Sequence, residues 1–213
     1  MKRAKSVVFA SLLISSVGLA QDDFQHHNAT FGVGAAVPVG NSTNYLTKAP
    51  LINFAYGYRF SRLFQADAGL QMAFGAAHNQ NPEITGYGAV QGGDHEFMIP
   101  LGGRVYIPQP YERLSFSAGG GAAYLHYSET ASSGNTGYGG YSAGCYSCTS
   151  RGGWGGYGLG NVSYYLDSNR FFHVGTTIQY IAASTNGPAV GNVPAFKTTD
   201  HWVNVVFEFG VSF

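Results

Sequence analysis

Two short motifs and a scatter of charges could do chemistry in this chain. Cys145 and Cys148 are the only cysteines among its 213 residues and stand as C-x-x-C inside GYGGYSAGCYSCTSRGGWGG. Thiols at that spacing form a disulfide in an oxidising compartment, exchange thiols with a partner, or supply half of a zinc site. Exchange wants the first cysteine at a helix N-terminus, and the Gly, Ser and Tyr around Cys145 offer no helix. Zinc wants a second pair of ligands, and none is evident. A disulfide pinning a tight turn is therefore expected, provided the chain is exported. The second motif is His126-Tyr127-Ser128. An imidazole beside a hydroxyl can serve as general base to a nucleophile when an acid orients the ring. Glu129 follows, but successive strand residues point to opposite faces, so it is expected on the other side.

Charge is otherwise sparse, at 10% of the chain, against 31 Gly, 15 Tyr and 15 Phe. No basic run or patch points to nucleic acid. No cofactor is implied. His173 has no second His or Cys at ligand spacing on its face, so no metal site is expected.

The elements that must position these groups are strands. Val203, Val205, Phe207, Phe209, Val211 and Phe213 are all apolar, and Asn204, Val206, Glu208, Gly210 and Ser212 stand between them. That is period-two alternation, with one apolar face and one mostly polar face. A transmembrane barrel ends this way because its last strand must pair with its first to remove the sheet edge. The beginning agrees. Lys2, Arg3 and Lys5 precede a mostly apolar stretch and the small-x-small triplet Gly18-Leu19-Ala20. Residues 1–20 are thus expected to be a cleaved signal peptide, and 21–213 the barrel domain. Cleavage leaves eight basic against eleven acidic residues, a net charge of −3.

Alternation predicts eight strands, at about 30–39, 51–60, 63–74, 96–107, 113–127, 155–166, 171–182 and 201–213. Short turns near 61–62, 108–112 and 167–170 alternate with longer polar segments at 40–50, 75–95, 128–154 and 183–200. Short periplasmic turns and long extracellular loops are the usual asymmetry of outer-membrane barrels. Pro100 interrupts the fourth strand, where a bulge or local irregularity is expected. Parity sends Arg59, Asp67, Glu96, Arg104, His173 and Glu208 into the lumen. Opposite charges there are expected to neutralise one another and fill an interior just wide enough for side chains. A narrow pore remains open as an alternative.

With these features the chain resembles the small eight-stranded outer-membrane barrels of the OmpA/OmpX type, without a periplasmic domain. The resemblance implies an all-β, eight-stranded antiparallel up-and-down transmembrane β-barrel in the bacterial outer membrane. It also implies that Phe207, Phe209, Val211 and Phe213 form the C-terminal signal read by the barrel assembly machinery. Periplasmic chaperones would be partners in transit; outer-membrane lipid and lipopolysaccharide would be partners in place. His126 and Ser128 are similar to the His-x-Ser motif of the lipid A 3-O-deacylases. That likeness implies a base and a nucleophile facing the outer leaflet. The family's motif lies near the C-terminal end of its barrel and continues Ser-Asn-Ala, whereas here it stands at the outer end of the fifth strand and continues Ser128-Glu129-Thr130.

The function expected is non-enzymatic, structural or surface-interactive, carried by the long extracellular loops. A narrow channel for small or hydrophobic solutes and a lipid-modifying enzyme are the alternatives. The sequence names no extracellular ligand.

Overall fold

Alternation puts an apolar side chain on one face of each strand, and lipid can bathe that face only if no backbone group is left unpaired. The computed structural model meets this condition by closing the sheet on itself. It describes residues 24–76, 83–85, 88–108, 111, 113–133, 147–188 and 196–213, without the side chains of 83–92, 129–133, 147–149 and 196. The strands are β1 (His27–Pro38), β2 (Ala49–Arg59), β3 (Phe64–Phe74), β4 (Glu83–Thr85), β5 (Gly88–Ile107), β6 (Leu114–Ser133), β7 (Ser147–Tyr165), β8 (Phe172–Gly187) and β9 (Phe196–Ser212). β4 is a three-residue strand paired to the far end of β5. The other eight form the wall. β3 pairs with β5, β9 pairs with β1, and every pairing is antiparallel. The fold is a closed, eight-stranded up-and-down β-barrel.

Strand stagger sets the width of the interior. Register partners run from Ala29 through Tyr56, Ala68, Leu101, Ala122, Gly156, Ala182 and His201. The His201 carbonyl then accepts the N–H of Val39, ten residues beyond Ala29 on the first strand. A shear of ten on eight strands tilts the wall and leaves room for side chains inside. The parity follows the alternation. Phe31, Val33, Phe54, Tyr56, Tyr58, Phe207 and Phe209 are exposed on the outer face, while Asn53, Gln65, Gln71, His173 and Asn204 are buried inside.

Two corrections to the sequence reading emerge, and one of its expectations is met. The segments expected as long loops are partly strand, since β5 begins at Gly88, β6 continues to Ser133, β7 begins at Ser147, β8 continues to Gly187 and β9 begins at Phe196. The ladder outruns the alternation because strands beyond the bilayer need no apolar face. At Pro100 the expected local irregularity is present, without a bulge or a register shift. Pairing of β3 with β5 lapses between Ala68↔Leu101 and Gln71↔Met98 and then resumes in the same register. The segment between β1 and β2 is no free loop either. A single 3-10 turn, Gly40–Asn44, folds it inward, with Ser42 and Leu46 fully buried. It is tied to the wall on both sides: the His201 N–H donates to Ser42 Oγ at 2.8 Å, and the Thr47 N–H donates to the Ala76 carbonyl at 2.7 Å.

Candidate functional site

The lumen is built in three layers, named here from the turn end to the loop end. The first is polar and charged. Arg104 Nε donates to Asp67 Oδ2 at 2.7 Å, and Gln65 donates to the other oxygen, Oδ1, at 2.5 Å. Gln65 Oε1 in turn accepts from Arg59 Nε at 3.2 Å and from the Tyr106 hydroxyl at 2.9 Å. The Arg59 guanidinium lies 3.6 Å above the Tyr106 ring, and its other nitrogen, Nη2, donates to the Tyr165 hydroxyl at 3.3 Å. Glu208 has its own donors: Asn53 at 3.3 Å, Asn161 at 3.2 Å and the Thr177 hydroxyl at 2.9 Å. Asn53 also accepts from Gln71, which accepts from Asn204, so amides link three strands, β2, β3 and β9. His173 is buried at the turn end with its ring 5.5 Å from that of Tyr165. It fits only because Gly210 opposite has no Cβ, which would overlap the imidazole.

The second layer is apolar. Leu51, Met98, Leu125, Ile181, Trp202 and Val206 point into the lumen from five strands and are fully buried. Leu46 joins them from the inward-folded segment. Burial of this kind stabilises by roughly 1.5–3 kcal/mol per large side chain and excludes water. Below it, a cavity of about 30 Å³ lies between Arg104, Asp67, Glu208 and Pro100. That volume is on the order of a single water molecule.

The third layer is a second charged cluster at the loop end. Asp200 is fully buried and accepts from Arg151 Nε at 3.1 Å, the Thr185 hydroxyl at 2.8 Å and the Tyr45 hydroxyl at 2.5 Å. The Arg151 guanidinium lies 4.4 Å from the Tyr127 ring centre and 5.0 Å from that of Tyr45. Burial and the bond to Asp200 push the Tyr45 phenol above its ordinary pKa. Tyr45 comes from the β1–β2 segment, Arg151 from β7 and Tyr127 from β6, so the cluster bridges the mouth.

The sequence reading grouped Arg59, Asp67, Glu96, Arg104, His173 and Glu208. The structure brings Arg59, Asp67, Arg104 and Glu208 into the first layer through Gln65, Tyr106 and the amides. His173 lies beside them with its Nδ1 unbonded. Glu96 is elsewhere. It sits toward the loop end, fully buried, with neither carboxylate oxygen hydrogen-bonded among the described residues. Arg151, Asp200 and Tyr45 were missed because they fell in segments read as loop. Parity would have found two of them: Arg151 shares its face with Tyr157 and Asn161, and Asp200 shares its face with Trp202 and Asn204.

His126 and Ser128 are on the outer side of β6, as parity required. No hydrogen bond joins them, and His126 stacks on Tyr124 with ring centres 6.5 Å apart. Cys145 lies outside the described residues, as do residues 1–20 of the expected signal peptide. The backbone of Cys148 is in the ladder opposite Thr130, in β7 rather than in a loop. At the closing seam, Phe213 and His27 exchange backbone hydrogen bonds at 2.8 and 2.9 Å, and their rings stack at 5.2 Å.

No family model and no curated protein sequence matches the chain. Solved structures do. Outer membrane protein OprG of Pseudomonas aeruginosa matches with a TM-score of 0.54 at 12% identity, over 89% of this chain and 97% of that one. Ail, the attachment invasion locus protein of Yersinia pestis, matches with a TM-score of 0.51 at 10% identity, over 89% and 99%. Neisserial surface protein A matches with a TM-score of 0.51 at 10% identity, over 90% and 98%. At these identities the likeness is one of fold alone, that of the small outer-membrane barrels.

Proposed function

We propose that the protein is a non-enzymatic outer-membrane barrel with a sealed lumen, acting in the envelope through its shape and its loop-end surface. The observation that carries this reading is the apolar layer of Leu51, Met98, Leu125, Ile181 and Trp202, set between two charged layers and capped by Ser42, Tyr45 and Leu46. Conduction needs a continuous file of water, and a constriction of this composition dewets. The His126–Ser128 pair lacks the hydrogen bond through which a base activates a nucleophile. On this reading the partners are outer-membrane lipid and lipopolysaccharide, with the assembly machinery and chaperones acting before insertion.

The test is planar-bilayer conductance of refolded protein, alongside lipid A analysis from cells with and without the chain. No steady conductance and unchanged acylation are expected. A stable open channel in the unmodified protein would refute the sealed lumen. A change in lipid A acylation that depends on Ser128 would refute the non-enzymatic reading.

A further inference from the structure

Six arginines follow residue 20, and four of them, Arg59, Arg62, Arg113 and Arg170, belong to the turn end. A vestibule of about 370 Å³ opens there, lined by Arg59, Arg62 and Arg170 with Tyr106 and Tyr165 behind them. Among the described residues no carboxylate lines it, and neither Arg62 nor Arg170 makes an ion pair. Arg59 is held in place by the Tyr106 ring and the Tyr165 hydroxyl. The carboxylate of Asp167, in the same turn as Arg170, is occupied with the N–H groups of Phe171 and Phe172, at 3.0 and 2.8 Å. The outer lip of the vestibule is Leu63, Ile107 and Leu114, side chains on the face that meets hydrocarbon.

Leu114 also lines a second concavity, of about 540 Å³, on the outer wall. Phe31, Phe207 and Phe209 stand along it with Val162 and Val174, and Gly32 and Gly175 contribute no side chain to its floor. A guanidinium-lined chamber at the level of the headgroups therefore meets an apolar trough running along the hydrocarbon.

We propose that the two concavities together bind one anionic phospholipid, with its phosphate among Arg59, Arg62 and Arg170 and an acyl chain in the trough past Leu114. The guanidinium fork matches phosphate oxygens, and among the described residues no carboxylate competes for exposed Arg62 and Arg170. Both volumes fall in the range of small-molecule sites. The site is independent of whether the lumen conducts, because it lies outside the sealing layer.

The experiment is native mass spectrometry of the protein released from nanodiscs containing equal phosphatidylglycerol and phosphatidylcholine with the same acyl chains. One phosphatidylglycerol is expected to be retained in preference to phosphatidylcholine. Each exposed guanidinium removed should lower that preference about fivefold, so R62Q/R170Q should lower it about twenty-fivefold. Both residues are exposed, and heat-modifiable migration of the variant checks that it still folds. R113Q, outside the lining, should leave the preference unchanged. Equal retention of the two lipids overturns the proposal. So does an equal loss in R113Q, which would mean general surface charge. Displacement of the lipid by millimolar inorganic phosphate also overturns it, because the site would then be for free phosphate. A lipid-free dimer would mean that a second copy covers the trough, and would overturn it as well.

Discussion

Neutralising Arg104 should destabilise the barrel strongly, and neutralising its partner as well should restore part of the loss. Arg104 and Asp67 meet at 2.7 Å, with only 11% and 7% of their side chains exposed. Two unit charges about 4 Å apart at an effective dielectric of about 20 attract by about 4 kcal/mol. R104Q removes that attraction and leaves the Asp67 carboxylate buried. Breaking one partner of such a pair typically costs about 3–5 kcal/mol. Gln65 still donates to Asp67 Oδ1, which places the expected loss near 3 kcal/mol, at the lower end of that range. D67N strands the Arg104 cation instead, with Gln65 no longer offered an anion. In the double variant neither charge is present and amides replace both, so its loss should be smaller than that of either single variant. The coupling should be about 2 kcal/mol or more. The assay is equilibrium unfolding by denaturant in lipid or detergent, followed by heat-modifiable migration and tryptophan emission. A double variant whose loss equals the sum of the single losses, with coupling under about 0.5 kcal/mol, would refute a pairwise network in the lumen.

Deleting Phe213 removes two ladder bonds and a ring stack against His27, and should lower the folded, heat-modifiable fraction recovered from outer membranes; unchanged yield counts against the terminal aromatic as an assembly signal. The N–H groups of Phe172 and Phe171 hold the Asp167 carboxyl below its ordinary pKa. Its contribution to stability is therefore full above about pH 4 and fades as pH falls through the lowered value, so D167N should flatten the acid limb of the unfolding curve; an identical acid limb in wild type and variant would exclude this role. Cys145 and Cys148 should accept thiol label only after reduction. Reducing them should leave thermal stability nearly unchanged, because so short a closed loop constrains the unfolded chain little; free labelling in protein taken from the envelope would exclude the disulfide.

The wall was legible because lipid demands a greasy residue at every second position. Phe54, Tyr56 and Tyr58 or Phe207 and Phe209 leave no other reading. The same demand stops at the membrane surface, which is why the far ends of β5, β6, β7 and β9 read as loop although their ladder continues. Period two also carries no contrast where both faces are apolar. Met98 lies between Phe97 and Ile99, and Leu125 follows Tyr124, so the sealing layer hid inside runs that looked uniformly hydrophobic. Tyr45 and Leu46 belong to a segment of Gly, Asn, Ser and Thr with no period at all. Their burial depends on tertiary contacts with Asp200 and the lumen, which no local pattern encodes. The charged first layer was half legible: parity assigned its members, but the links through Gln65 and Tyr106 depend on cross-strand register.

The seam between β1 and β9 has a kinetic consequence. Every other junction in the wall joins strands that follow one another closely in the chain, so those contacts close small loops. The seam pairs Asn28 with Ser212 and encloses nearly the whole polypeptide. Loop-closure entropy grows only logarithmically, so this one junction costs about 3 kcal/mol more than a tight hairpin. That excess falls at a single late event rather than being spread round the circumference. Gly34 stands at this junction, and a Cβ there would overlap the carbonyl of Val205. The two ribbons can approach because that position is bare. Closure of the wall thus carries its largest entropic cost at this junction, and because a Cβ at position 34 would meet backbone, G34A should weaken the finished barrel as well as slow its closure.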